Sequence, residues 1–93
     1  MYNPLNDHLF VKKFGFQPAA QYPDLGASVE SFTNASMLEL ETVGPLSKIA
    51  PGSSVEHVEH WFLERGVRLG SQNDEGVDRG VLPKVKELQQ PQP

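Results

Sequence analysis

The spacing of apolar and polar positions divides the chain into short extended runs separated by turns. His8–Phe14 (HLFVKKF) is rich in apolar and aromatic residues and follows an Asn-Asp turn signal at Asn6 and Asp7, which predicts a strand. Gly15 to Gly26 holds two prolines and reads as a loop. Ala27–Phe32 predicts a second strand, and Thr33-Asn34 a turn. Met37–Val43 (MLELETV) alternates: Leu38, Leu40 and Thr42 point one way, and Met37, Glu39, Glu41 and Val43 the other. Gly44-Pro45 ends that run, and Pro51-Gly52 forms a turn pair.

The segment 53–65 supports two readings. As a helix, Ser53 and Glu56 make a capping box, Gly66 a C-cap, and Val55, Val58 and Phe62 one face. As a strand, Val55, His57, Glu59, Trp61 and Leu63 share one side, with Val58, His60 and Phe62 on the other. Beyond Gly70 the pattern fades. Ser71–Pro93 is polar, carries three prolines, and offers few apolar groups to offset ordering entropy, so it is expected to be a disordered tail, with a helical turn or two over Pro83–Gln90. The resulting organisation is an all-β, antiparallel domain over 1–70 and a tail over 71–93.

Composition narrows the function classes. A chain of 93 residues makes one small domain with a thin core. Its net charge of −4 and the absence of any basic patch argue against nucleic acid and anionic membrane surfaces as partners. Without cysteine there is no disulfide scaffold, thiolate nucleophile or Cys-ligated metal. No apolar run is long enough to span a bilayer, and MYNPLNDHLF lacks the pattern of a signal peptide. A cytoplasmic location is the expectation that follows.

Two clusters carry candidate chemistry. Glu56, His57, Glu59 and His60 are the densest group of polar side chains. Their spacing is not HExxH, and a solvated polar face accounts for them better than a metal site, so no metal is expected. Glu39 and Glu41 share one face of the alternating strand, roughly 7 Å apart. Under a covering pocket their repulsion and desolvation would raise a pKa and suit a general base; on an open edge they are ordinary solvent-facing charges. Trp61 and Tyr22 are candidates to stack on a ligand or to fill the core.

LFVKKF at Leu9–Phe14, YPD at Tyr22–Asp24, VESFTNASMLELETVGPL at Val29–Leu46, Pro51-Gly52 and VEHVEHW at Val55–Trp61 occur in a distinctive order. In that order the stretch from Leu9 to Leu63 resembles the C-terminal segment of the galactose mutarotase-like superfamily. It looks most like a bacterial family related to aldose epimerases. The resemblance implies a partial β-supersandwich of about four strands, with 53–65 extended, and a sugar bound on a concave face. It implies Glu41, within Leu40-Glu41-Thr42, as the general base at the anomeric centre, with Glu39 as runner-up; Trp61 and Tyr22 would stack on a sugar in a binding module without catalysis. It implies proton transfer with no cofactor. No histidine of this chain matches the position of the family's general acid, so the chain alone is expected to be inactive, and either self-association or pairing with the rest of such a domain is expected. A non-catalytic carbohydrate-binding or small β interaction module is the alternative.

Overall fold

The computed structural model describes residues 1–89. Over the described residues the chain is mainly β, with five strands in two antiparallel sheets. The strands are β1 (Tyr2–Asn3), β2 (His8–Phe14), β3 (Val29–Thr33), β4 (Leu38–Thr42) and β5 (Glu59–Glu64). One sheet has the order β1-β2-β5 and the other pairs β3 with β4. The chain divides into two compact units: Met1–Lys13 with the described part of 60–93, and Phe14–Glu59.

In the first unit, β1 turns back onto β2 with Tyr2 opposite Leu9 and Asn3 opposite His8. The reversal needs Asp7 in the left-handed region, φ 55°, which an aspartate tolerates better than most residues. Side-chain carbonyls fix the turn: Asn3 accepts from Leu5 N–H, and Asn6 from His8 N–H. Tyr2 ties this turn to the 67–69 segment. Its hydroxyl lies 2.9 Å from Asp7 Oδ1 and 2.6 Å from Val67 O, both acceptors, and accepts from Leu69 N–H. Burial first, then the Asp7 carboxylate, raises the phenol above its ordinary pKa. Leu9, Val67 and Leu88 are the buried apolar side chains of this unit among the described residues.

The expectation of a disordered tail over 71–93 is corrected for the described part of that segment. A continuous helical stretch runs through Asp74–Gly76, a π-helical Val77–Val81 and Leu82–Gln89; residues 90–93 lie outside the described residues. Asn73 caps it, its side chain accepting from Gly76 N–H, with Asp74 and Glu75 in the first turn where acidic groups oppose the helix dipole favourably. The widened turn is placed where Pro83 demands it. Leu82 N–H bonds to Val77 O just before the proline, which has no N–H to give. Two glycines let the helix approach the preceding chain. A Cβ on Gly76 would lie 1.7 Å from Ser71 O, and one on Gly80 2.1 Å from Arg68 O. Composition alone hides this, because Leu88 is the single apolar side chain of the stretch that is buried, and the rest of the close approach is made by backbone at glycine.

In the second unit, β3 and β4 form a hairpin. The loop between them is held by Asn34, whose side-chain oxygen accepts from Ser36 N–H and Met37 N–H. Pro51-Gly52 is a turn as expected, with Gly52 at φ 83° and Ser53 N–H bonded to Ala50 O. Segment 53–58 has no regular structure and β5 begins at Glu59, so the helical reading of 53–65 gives way to a shorter strand. Tyr22 is the buried apolar side chain of this unit among the described residues.

Candidate functional site

The β3–β4 hairpin sets the geometry of the candidate carboxylates. Val29 faces Thr42, Glu30 faces Glu41, Ser31 faces Leu40, Phe32 faces Glu39 and Thr33 faces Leu38. Directly opposed residues share a side of the sheet. Glu30, Phe32, Glu39 and Glu41 therefore project from one face, and Val29, Ser31, Thr33, Leu38, Leu40 and Thr42 from the other. The expected sharing of a face by Glu39 and Glu41 is thus present, and β3 adds Glu30 to it.

Asp24 completes the group. Tyr22–Gly26 contains a left-handed turn, with Asp24 at φ 53° and Leu25 at φ 64°, closed by Ala27 N–H bonding to Pro23 O. It brings the Asp24 carboxyl into a hydrogen bond with Glu30. That bond, then desolvation, then the charges of Asp24 and Glu41 raise the Glu30 carboxyl above the ordinary carboxylate range. Glu30 and Glu41 line a shallow cleft of about 410 Å³ together with Ser31 and Phe32. Facing each other across the cleft, the Glu30 and Glu41 carboxyls offer oxygens that can accept from a ligand hydroxyl.

Sequence reasoning picked out Glu41 and Glu39 but missed Glu30 and Asp24. The signal for Glu30 was present. The strands flank the Thr33-Asn34 turn, and counting outward from it places Glu30 opposite Glu41. No sequence signal marks Asp24, because its position depends on a left-handed turn built by residues that are not glycine.

On the opposite face, Thr42 links two members of the other expected cluster. Its hydroxyl donates to Glu59 Oε2, and its oxygen lies 2.7 Å from His57 Nε2. With one proton already given to Glu59, Thr42 takes the bond from His57, so Nε2 carries the hydrogen. A nucleophile–histidine–carboxylate relay needs the histidine in the middle; here the hydroxyl is in the middle, so the group is a brace and not a relay. Gly44 leaves room for the imidazole, since a Cβ there would lie 3.3 Å from His57 Nδ1. Among the described residues no three His, Asp or Glu side chains converge as metal ligands.

The two aromatic candidates have different surroundings. Tyr22 is buried, stacked on Phe16 at a centroid distance of 5.0 Å, and its hydroxyl accepts from Gln17 N–H. Trp61 belongs to the first unit, where it is 64% exposed. Phe10 meets its indole edge-on at 5.7 Å and the Lys12 ammonium sits 5.3 Å from its centroid. None of the described helices is long and apolar enough to cross a membrane. Comparison with protein families, with curated proteins and with solved structures finds no match.

Proposed function

We propose that the chain supplies C-terminal strands of a carbohydrate-binding β-domain of the aldose-epimerase-like kind, with the hairpin carboxylates as its sugar site. The observation that supports this reading most is the pairing of Glu41 with a Glu30 carboxyl whose pKa is raised, across one cleft. In this reading a sugar hydroxyl donates to the Glu41 carboxylate, while the Glu30 carboxyl keeps its hydrogen bond with Asp24. Glu41 accepts the anomeric O–H as a hydrogen bond, in the position a general base would occupy if a ring-oxygen acid were supplied, and Asp24 orients Glu30. Glu39, further along the same face, contacts the sugar without taking the proton. No cofactor takes part. The ring-oxygen acid is missing, so the chain binds without turnover.

The test is a monosaccharide titration followed by backbone amide NMR, with polarimetry on the same samples. Expected are shifts at Glu30, Ser31, Phe32 and Glu41 that vanish in Glu41→Gln, and no acceleration of mutarotation. Amides of the hairpin that stay unmoved by every sugar tried would sink the reading. A second reading, a non-catalytic saccharide platform on Trp61, is favoured by the exposure of that indole. It predicts a change in tryptophan fluorescence on sugar addition while the hairpin amides stay still.

A further inference from the structure

We propose that the free edge of β3 pairs with β3 of a second copy of this chain, antiparallel about a two-fold axis at Ser31, to make a four-stranded sheet. This edge adjoins the carboxylate cleft and shares Glu30, Ser31 and Phe32 with it, but the proposal is argued from backbone register and does not depend on the sugar reading.

Among the described residues the sheet of β3 and β4 has two strands. A two-stranded sheet is marginal in water, and stable sheets need three or more strands or a covering layer. Val29, Phe32 and Leu38 are 50%, 54% and 46% exposed. The edge of β3, VESFT, carries no proline, no lysine and no bulge, and Glu30 is its one charge.

The hydrogen-bond alternation shows which groups that edge presents. Val43 N–H bonds to Ser28 O, and Asn34 N–H to Met37 O. These pairs lie at either end of the ladder and fix its alternation. Ser28, Glu30, Phe32 and Asn34 turn their backbone groups inward to the partner strand. Val29, Ser31 and Thr33 therefore direct their N–H and C=O groups out from the edge. A two-fold axis at Ser31 matches these groups with themselves: Ser31 with Ser31 of the partner subunit, and Val29 with Thr33 of the partner subunit. Between them, Glu30 lies beside Phe32 of the partner subunit, so no like charges meet.

The edge of β4 fails the same operation. An axis at Leu40, its central outward residue, sets Glu39 beside Glu41 of the partner subunit at both narrow pairs, where like charges oppose each other. His57 and Glu59 also reach Thr42 at the end of that strand. Charge and register thus favour β3 over β4, and a second copy of β3 is the occupant that its own register fits. The contact is isologous and closes as a dimer.

Multi-angle light scattering and sedimentation of the full chain test this. Expected is a dimer of twice the 10.3 kDa chain mass. Charge at position 32 gives a signed readout, in a Glu39→Gln background that removes the carboxylate facing it within the hairpin. Phe32→Lys should tighten the dimer and Phe32→Glu should weaken it, each by about two- to thirty-fold in Kd for the two symmetric pairs. Ser31→Pro removes an outward N–H of β3 and should give monomer, while Leu40→Pro, a change of the same kind within β4, should leave the dimer. A monomer at all concentrations overturns the proposal. So do Phe32 substitutions that move Kd in the same direction, and a dimer lost in Leu40→Pro but kept in Ser31→Pro; the last result would point to another edge.

Discussion

Replacing Gly80 by alanine tests the docking of the helical stretch. The added Cβ would stand 2.1 Å from Arg68 O, 3.0 Å from Leu69 Cα and 3.1 Å from Arg68 C, all backbone atoms. A carbon–oxygen contact needs about 3.3 Å, so the helix and the 68–69 segment must separate by about 1.2 Å. No side-chain rotamer change can relieve this. Alanine favours the helix itself by about 1 kcal/mol over glycine. Against that stand overpacking strain of about 1–3 kcal/mol and, if the helix shifts, part of the burial of Leu88 and Val67, each about 1.5–3 kcal/mol when complete. The net expectation is a loss of about 1–4 kcal/mol. For a chain of 93 residues the unfolding entropy is about 0.2 kcal/mol/K, so the melting temperature should fall by about 5–20 °C. Circular dichroism at the helical band during a thermal scan reads this directly. Gly15→Ala is the control, because a Cβ there would meet nothing within 4 Å and the φ of Gly15 is not positive; it should leave the melt unchanged or raise it slightly. If Gly80→Ala melts at or above the parent temperature, the helix does not pack on 68–71 and the argument fails.

Two further outcomes follow from the hairpin and its brace. The folded state holds the Glu30 proton more tightly than the unfolded chain does, so it binds more protons in the interval between the ordinary and the raised pKa. The stabilisation tied to that proton is complete below the ordinary carboxylate pKa and is lost as pH rises through the raised one. Hydrogen exchange of hairpin amides should quicken across that interval in the parent relative to Glu30→Gln; the opposite slope would contradict the shared proton. Thr42→Val should cost about 1 kcal/mol and speed exchange over 57–59, while Thr42→Ser should retain the brace. Equal melts for the two variants would mean that the hydroxyl bridge is not stabilising.

The strands were legible wherever side-chain alternation decides them. His8–Phe14 matches the observed strand in full, and the expected runs at 27–32 and 37–43 differ from β3 and β4 by a residue or two. The fifth strand, Tyr2–Asn3, was missed because two residues carry no period; it is held by the turn before β2 and by the Tyr2 hydroxyl. Residues 53–65 were ambiguous because Ser53 and Glu56 satisfy the local rules for a helix start, whereas pairing with β2 makes 59–64 a strand. The helix at 74–89 was lost to its polar composition, since it buries one apolar side chain, Leu88, and otherwise approaches the chain through glycine backbone. Of the carboxylates on the hairpin, those in the regular strand were readable, and Asp24, placed by a left-handed turn, was not.

The two neighbours β2 and β5 are joined in space but separated in sequence by residues 15–58. Closing a segment of that length costs about 3 kcal/mol in chain entropy before any contact between the strands can repay it. The first unit is therefore a non-local structure assembled late. As the chain is synthesised, Leu9 and Phe10 emerge long before Trp61, Val67 or Leu88 can cover or flank them. The 14–59 segment, whose hairpin closes across the short loop 34–37, can form in the interval. Folding should thus proceed from the middle outward, with the slower phase belonging to the sheet that joins the early and late parts of the chain.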